Sequence, residues 1–158
     1  MSAGTNRAGV DSDAGKLART LATAVGAVFL LVGVLGFVPG ITSDYDTLKF
    51  AGHTSHANLL GIFQVSILHN VVHLLFGVAG LAMGRKTSSA INYLIGGGAI
   101  YVVLWLYGLL VGQNSAANFV PVNMADDWLH LVLGLGMIGA GVAGRKAAAS
   151  ATSGPAYS

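Results

Sequence analysis

Three histidines carry most of the chemistry this chain can offer. His69 and His73 stand four residues apart in GIFQVSILHNVVHLLFGVAGLAMG, Gly61 to Gly84, and His130 lies in DDWLHLVLGLGM. At i and i+4 on one helix, two imidazoles reach the same point beside it. At ~100° per residue, Ser66, His69, Asn70 and His73 fall with Gly77, Gly80 and Gly84 within about one third of the circumference. His130 shares a stripe with Asp127, Gly134, Met137 and Gly141. If the two stripes pack together, the three rings approach one another. Three imidazoles suit Zn, Cu or Fe, and a carboxylate such as Asp127 can orient one ring from behind. Two histidines on facing helices can instead ligate a haem. Side chains that titrate near neutral pH can also serve proton-linked transport. The candidate polar cluster is therefore His69, Asn70, His73, Asp127 and His130, with His69, His73 and His130 as candidate metal ligands. The competing reading is hydrogen bonding between helices with no ligand at all, and it leads here. The sequence requires no cofactor. HNVVH lacks the Glu base of a zinc protease, and neither a GxSxG elbow nor a Walker lysine loop occurs, so the chain reads as a non-enzyme.

These side chains sit in segments that read as membrane helices. Hydrophobic residues make up 54% of the 158, charged residues 9%, and mean hydropathy is +0.69. Soluble domains carry about 25% charged residues, so this chain lacks a soluble protein's surface. There is no Cys, which excludes disulfides, Cys-ligated zinc and iron–sulfur clusters. No basic run with interleaved aromatics points to nucleic acid. Four stretches come close to the ~20 apolar residues a span needs: Leu17 to Val38, Leu59 to Met83, Ile91 to Val111, and Asp127 to Ala143. Helices, not strands, are the expected form, because hydrocarbon cannot solvate an open backbone. Intramembrane imidazoles and amides should then face protein, not lipid. Trp128, Tyr93 and Phe119 read as interfacial anchors.

The basic residues orient the spans. Arg7, Lys16 and Arg19 precede the first, Arg85 and Lys86 separate the second and third, and Arg145 and Lys146 follow the fourth. Only Lys49 lies in the first loop. The positive-inside rule puts both termini in the cytoplasm, with Asp44, Asp46, Asp126 and Asp127 outside. The Ala/Ser/Gly-rich ends read as disordered cytoplasmic tails, 1–16 and 145–158, around a transmembrane domain at 17–144. The first span is too long for a cleaved signal peptide, and no A-x-A-like site follows it.

The chain also resembles itself. Gly26-Ala27-Val28-Phe29 aligns with Gly98-Ala99-Ile100-Tyr101, and the same register sets Gly36 on Gly108. Asn70-x-x-His73-Leu74-x-x-Gly77 matches Asp127-x-x-His130-Leu131-x-x-Gly134, and Arg-Lys closes each half. Two out-and-back hairpins would be parallel repeats about an axis along the membrane normal. The fold class read here is an all-α integral membrane protein of four transmembrane helices, arranged as two duplicated helical hairpins.

The order of these blocks resembles a known family. AVGAVFLLVGVLGFVPGIT, LLGIFQVSILHNVVHLLFGVAGLA and SAANFVPVNMADDWLHLVLGLGM, over about residues 17 to 144, resemble the bacterial domain-of-unknown-function family 4383. The resemblance implies a small four-helix protein of the bacterial plasma membrane, and no activity. The functional expectation is a structural or accessory membrane component acting through helix contacts. The alternative is a metal- or haem-binding redox protein, or a proton-linked transporter, using the histidines. The expected partners are the lipid bilayer and other membrane proteins or a second copy, not nucleic acid.

Overall fold

The structure, a computed structural model, describes residues 13–152. It is mostly helical, with four helices and one small sheet among those residues. Helix α1 (Asp13–Leu35) opens with Asp13, whose carboxylate suits the positive end of the helix dipole. It ends where the backbone tightens: the Phe37 N–H donates to the Val34 carbonyl and Val38 to Leu35. Pro39 follows, and Gly40 takes φ +91, which a side chain would resist.

The segment between α1 and the second helix is folded. Strands β1 (Thr42–Ser43), β2 (Asn58–Leu59) and β3 (Phe63–Gln64) form an antiparallel sheet in the order β1-β2-β3. Thr42 pairs with Leu59, and Leu59 with Phe63. The turn from β2 to β3 uses Leu60 at φ 55 and Gly61 at φ 70. Ala57, Leu59 and Val65 form a small core beneath this sheet, against Val32 and Leu35 of α1. The fully buried Ser55 hydroxyl donates to the Val65 carbonyl.

Three expectations change here. The second apolar stretch is helical only over α2 (Ile67–Met83), 17 residues, because Leu59 to Val65 leaves the helix to form the sheet. Ser66 therefore lies off the helical stripe: it is the N-cap, and its hydroxyl accepts from the His69 N–H. At ~1.5 Å per residue α2 is about 26 Å long, slightly short of the hydrocarbon core. α1, α3 (Thr87–Leu110) and α4 (Met124–Thr152) are each long and apolar enough to cross a membrane. Helix also enters both segments read as disordered: α1 includes 13–16, and α4 continues through 145–152. The stretch after Lys146 is rich in Ala, the strongest helix former, so low complexity there is not low propensity. Residues 1–12 and 153–158 lie outside the described residues. Finally, Tyr93 is not an interfacial anchor: it is buried, and its hydroxyl donates to the Phe76 carbonyl.

The helices pack as two antiparallel pairs, α1 with α2 and α3 with α4, and contacts between the pairs are sparser. Glycine sets the closeness within each pair. A Cβ at Gly26 would sit 2.8 Å from the Leu81 nitrogen and 2.9 Å from the Gly77 carbonyl oxygen. A Cβ at Gly98 would meet the Gly134 carbonyl oxygen at 2.6 Å and the Ile138 nitrogen at 3.0 Å. The pairs meet through side chains instead, in a core of Ala18, Ala22, Phe29, Leu94, Tyr101 and Met137. Large apolar side chains point outward along every helix, among them Leu31, Leu75, Val103 and Val132.

One end of the helical layer is capped by the two long connections. The Gly52 N–H donates to the Phe119 carbonyl at 2.7 Å, Asn123 Nδ2 to the Ile62 carbonyl at 2.7 Å, and the Gln64 N–H to Asp126 Oδ2 at 3.0 Å. The first two bonds join one pair's connection to the other's, and the third ties β3 to the first turn of α4. Pro121 and Val122 are buried beneath this cap.

Candidate functional site: a buried histidine cluster

Directly under the cap, all four helices converge. Ser66 starts α2, and the first two turns then present His69, Asn70 and His73 to the interior; all three are buried, as are Gly77 and Gly80 on the same face. On α4, Asp126, Asp127, His130 and Met137 are buried. The start of α4 is fixed by a reciprocal pair: the Asp126 N–H donates to Asn123 Oδ1, and the Asn123 N–H donates to Asp126 Oδ2, both at 3.0 Å. This is a capping box with Asp in the usual Glu position. α3 contributes Tyr101, and α1 contributes Phe29.

The imidazoles do come together. The His69 and His73 rings stack with centroids 4.5 Å apart and planes 16° from parallel. His130 stands across from His69, centroid to centroid 6.5 Å. His73 Nδ1–H donates to the His69 carbonyl at 3.0 Å, the i−4 acceptor on its own helix. That bond assigns the tautomer and leaves Nε2 as an acceptor, facing the Tyr101 hydroxyl at 3.5 Å, the outer limit of a hydrogen bond. The Tyr101 ring meets His130 edge to face at 5.0 Å and lies stacked against Phe29 at 5.3 Å. Phe29 also packs edge-on against His73 at 5.5 Å.

Asn70 and Asp127 are buried but turn away from the rings. The Asn70 amide lies over Gly36 of the neighbouring α1–α2 connection, where any Cβ would overlap it. The Asp127 carboxylate lies in the same way over Gly108 on α3. Asp127 stands ~60° around its helix from His130, and Asn70 ~60° from His73 and ~100° from His69, enough to aim each at the partner helix of its own pair. Asp127 therefore orients no imidazole, and among the described residues no carboxylate lies within ion-pair distance of a histidine. Nor do three His, Asp or Glu side chains among those residues converge on a common metal position. The stack explains this: parallel rings at 4.5 Å aim their nitrogens side by side, not at one point. Tyr101 lies in contact with both His73 and His130.

Several polar atoms in the site are buried with no hydrogen-bond partner: His69 Nδ1, His130 Nδ1, Asp127 Oδ1 and both ends of the Asn70 amide. Two contributors escape a reading of the sequence alone. Tyr101 enters that reading only as the counterpart of Phe29, and Asp126 only as an outer-loop charge. An isolated Tyr within an apolar run is the one signal that could have drawn attention to the first.

No curated protein and no solved structure matches the chain. The family model described as "Domain of unknown function (DUF4383)" matches residues 19–143, a span that takes in both helix pairs and every residue of the cluster. The chain belongs to the DUF4383 family.

Proposed function

We propose that this chain is a multi-pass membrane protein of the plasma membrane, with both termini cytoplasmic, and that its work is done by protons at the histidine cluster. The outward apolar side chains of all four helices support the membrane assignment. If α1, α3 and α4 cross, the antiparallel α2 must return the chain, and a small thickness mismatch is no bar to a 17-residue helix. Reporter fusions after Lys86 and after Lys146 are expected to read cytoplasmic, and one after Ser115 external. An external reading after Lys86 would overturn this topology.

The duplication belongs to the same proposal. A Cβ at Gly77 would meet Leu30 and the Gly26 carbonyl, and one at Gly134 would meet Val102 and the Gly98 carbonyl. Gly84 abuts Thr23, and Gly141 abuts Ile95. Asn70 over Gly36 and Asp127 over Gly108 complete the set. All these pairs correspond in one register, which supports two copies of one hairpin. Phe29 and Tyr101, aligned in that register, stack on each other between the copies.

The observation that carries the proton reading is the open nitrogens of His69 and His130. A polar cluster whose only task is to join helices satisfies its own hydrogen bonds. This one leaves two imidazole nitrogens open, beside a tyrosine hydroxyl and a third ring. Groups that each donate and accept, in one buried contact chain, are what proton movement requires. The accessory reading stands second, favoured by the aromatic packing of Phe29, Phe76 and Tyr101 around the rings. His73→Leu separates the two. His73→Ala should cost about 2–4 kcal/mol of stability in detergent through the cavity and the lost partner, and Leu should restore much of it. In vesicles carrying an internal pH dye and a potassium gradient with valinomycin, the wild type should accelerate proton entry. His73→Leu and Tyr101→Phe should abolish that flux while melting near the wild type. Flux equal to empty vesicles, or unchanged in His73→Leu, returns the cluster to the accessory reading.

A further inference from the structure

The molecule is electrically two-ended. Six of its eight Lys and Arg residues, Lys16, Arg19, Arg85, Lys86, Arg145 and Lys146, flank the helix ends opposite the cap. Asp44, Asp46, Asp126 and Asp127 lie in or beside the cap itself. At the basic end a groove of about 500 Å³ opens between α1 and the end of α2. Lys16, Arg19, Thr20 and Thr23 line its upper part, and Ala24 and Ala27 continue it down α1 toward the apolar layer. Ala24 and Ala27 carry only methyl groups, which leaves room along α1, and Gly84 closes against Thr23 at the groove's edge. Arg19 lines this groove, and its buried Nε has no hydrogen-bond partner among the described residues. Among the described residues Lys16 pairs with the fully exposed Asp13, at 3.5 Å, an interaction that water screens heavily.

We infer that this groove binds one anionic phospholipid of the inner leaflet, its phosphate between Lys16 and Arg19 and one acyl chain along Ala24 and Ala27. The inference rests on the membrane reading above. A guanidinium beside an ammonium at one rim is matched by a phosphate, whose oxygens accept several donors at once. The Thr20 hydroxyl adds a neutral donor at the same rim. A free anion accounts for the cations but not for the apolar extension; a phospholipid accounts for both. Basic pockets at the cytoplasmic ends of membrane helices recognise acidic headgroups through this combination of charge and apolar floor.

Native mass spectrometry of the full chain in neutral detergent tests the inference, with palmitoyl-oleoyl phosphatidylglycerol titrated against the phosphatidylcholine of the same chains. One phosphatidylglycerol should be retained at least tenfold more tightly than phosphatidylcholine. Lys16→Gln with Arg19→Gln should bring the two lipids level. Ala27→Leu, which fills the floor and leaves every charge in place, should also weaken retention about tenfold. Arg145→Gln, at the same end but outside the groove, should stay within twofold of wild type. Equal retention of both lipids, or an unchanged charge variant, overturns the inference. So does displacement of the lipid by millimolar inorganic phosphate, which would mark a site for the free anion. A chain that alkaline carbonate strips from membranes refutes the membrane reading itself; one that stays and holds both lipids alike refutes only the lipid site.

Discussion

Gly26→Leu is expected to stop α1 and α2 from closing into a pair, and the smaller Gly26→Ala to lower stability in detergent by about 1–3 kcal/mol. The atoms that a Cβ at Gly26 would strike are backbone: the Leu81 nitrogen, the Gly77 carbonyl oxygen and the Gly80 carbonyl carbon, all within 2.9 Å. Backbone cannot rotate out of the way, so the helices must separate. Separation forfeits contacts along the whole seam, since close approach is what holds small-residue helix pairs together in lipid. Gly98→Ala should cost a similar amount, because it strikes the Gly134 carbonyl and the Ile138 nitrogen. Gly96, Gly136 and Gly139 are the controls: a Cβ there meets nothing within 4 Å. Alanine at those three positions should be neutral or stabilise by up to about 1 kcal/mol through helix propensity. Thermal unfolding of the five alanine variants in one detergent checks the set. Equal losses at Gly26 and Gly96 would refute the seam.

The second large effect is expected at Asp126. Asp126 Oδ2 alone accepts two backbone N–H groups, from Asn123 at the start of α4 and from Gln64 in β3. Removing it leaves two donors without partners, at about 1–3 kcal/mol each. It also undoes the capping box and cuts one of the three bonds across the cap, the one that ties β3 to α4. Asp126→Leu should therefore lose about 2–5 kcal/mol. Asp126→Asn keeps an acceptor oxygen at the same point and should lose far less. Protease cleavage within 49–65, together with the melting temperature, reads both consequences. If Asn and Leu prove equally damaging, the carboxylate acts by something other than these two bonds.

Spacing alone made the buried face of α2 readable: His69, Asn70, His73, Gly77 and Gly80 are all buried, as a 3.6-residue period requires. The meeting of His69, His73 and His130 was equally legible, because polar side chains in apolar helices have few places to go. The direction of Asn70 and Asp127 was not. A stripe one third of a circumference wide spans two partners, and only packing decides that its edge faces Gly36 or Gly108. The sheet was invisible for another reason. Two-residue strands carry no alternation, and Leu59 to Val65 reads as a continuation of the apolar run that follows. Turn geometry at Leu60 and Gly61 separates them. Tyr101 was hidden by its surroundings: within YVVLWLYGLL its ring counts as one more apolar group, and its hydroxyl matters only once α2 and α4 lie beside it.

The three hydrogen bonds that cross the cap make it a fulcrum. The two helix pairs are tied there by hydrogen bonds and touch elsewhere mainly through side chains. A rocking of one pair against the other would then turn about the capped end, where these bonds are. Along α4, His130 lies about 6 Å from Asp126 and Gly144 about 27 Å, at ~1.5 Å per residue. A tilt that swings Gly144 by about 5 Å would shift His130 by only about 1 Å on that lever. The imidazoles sit on the short arm, where their spacing survives motion, and the basic end sits on the long arm, where a bound lipid would have the greatest leverage over the tilt.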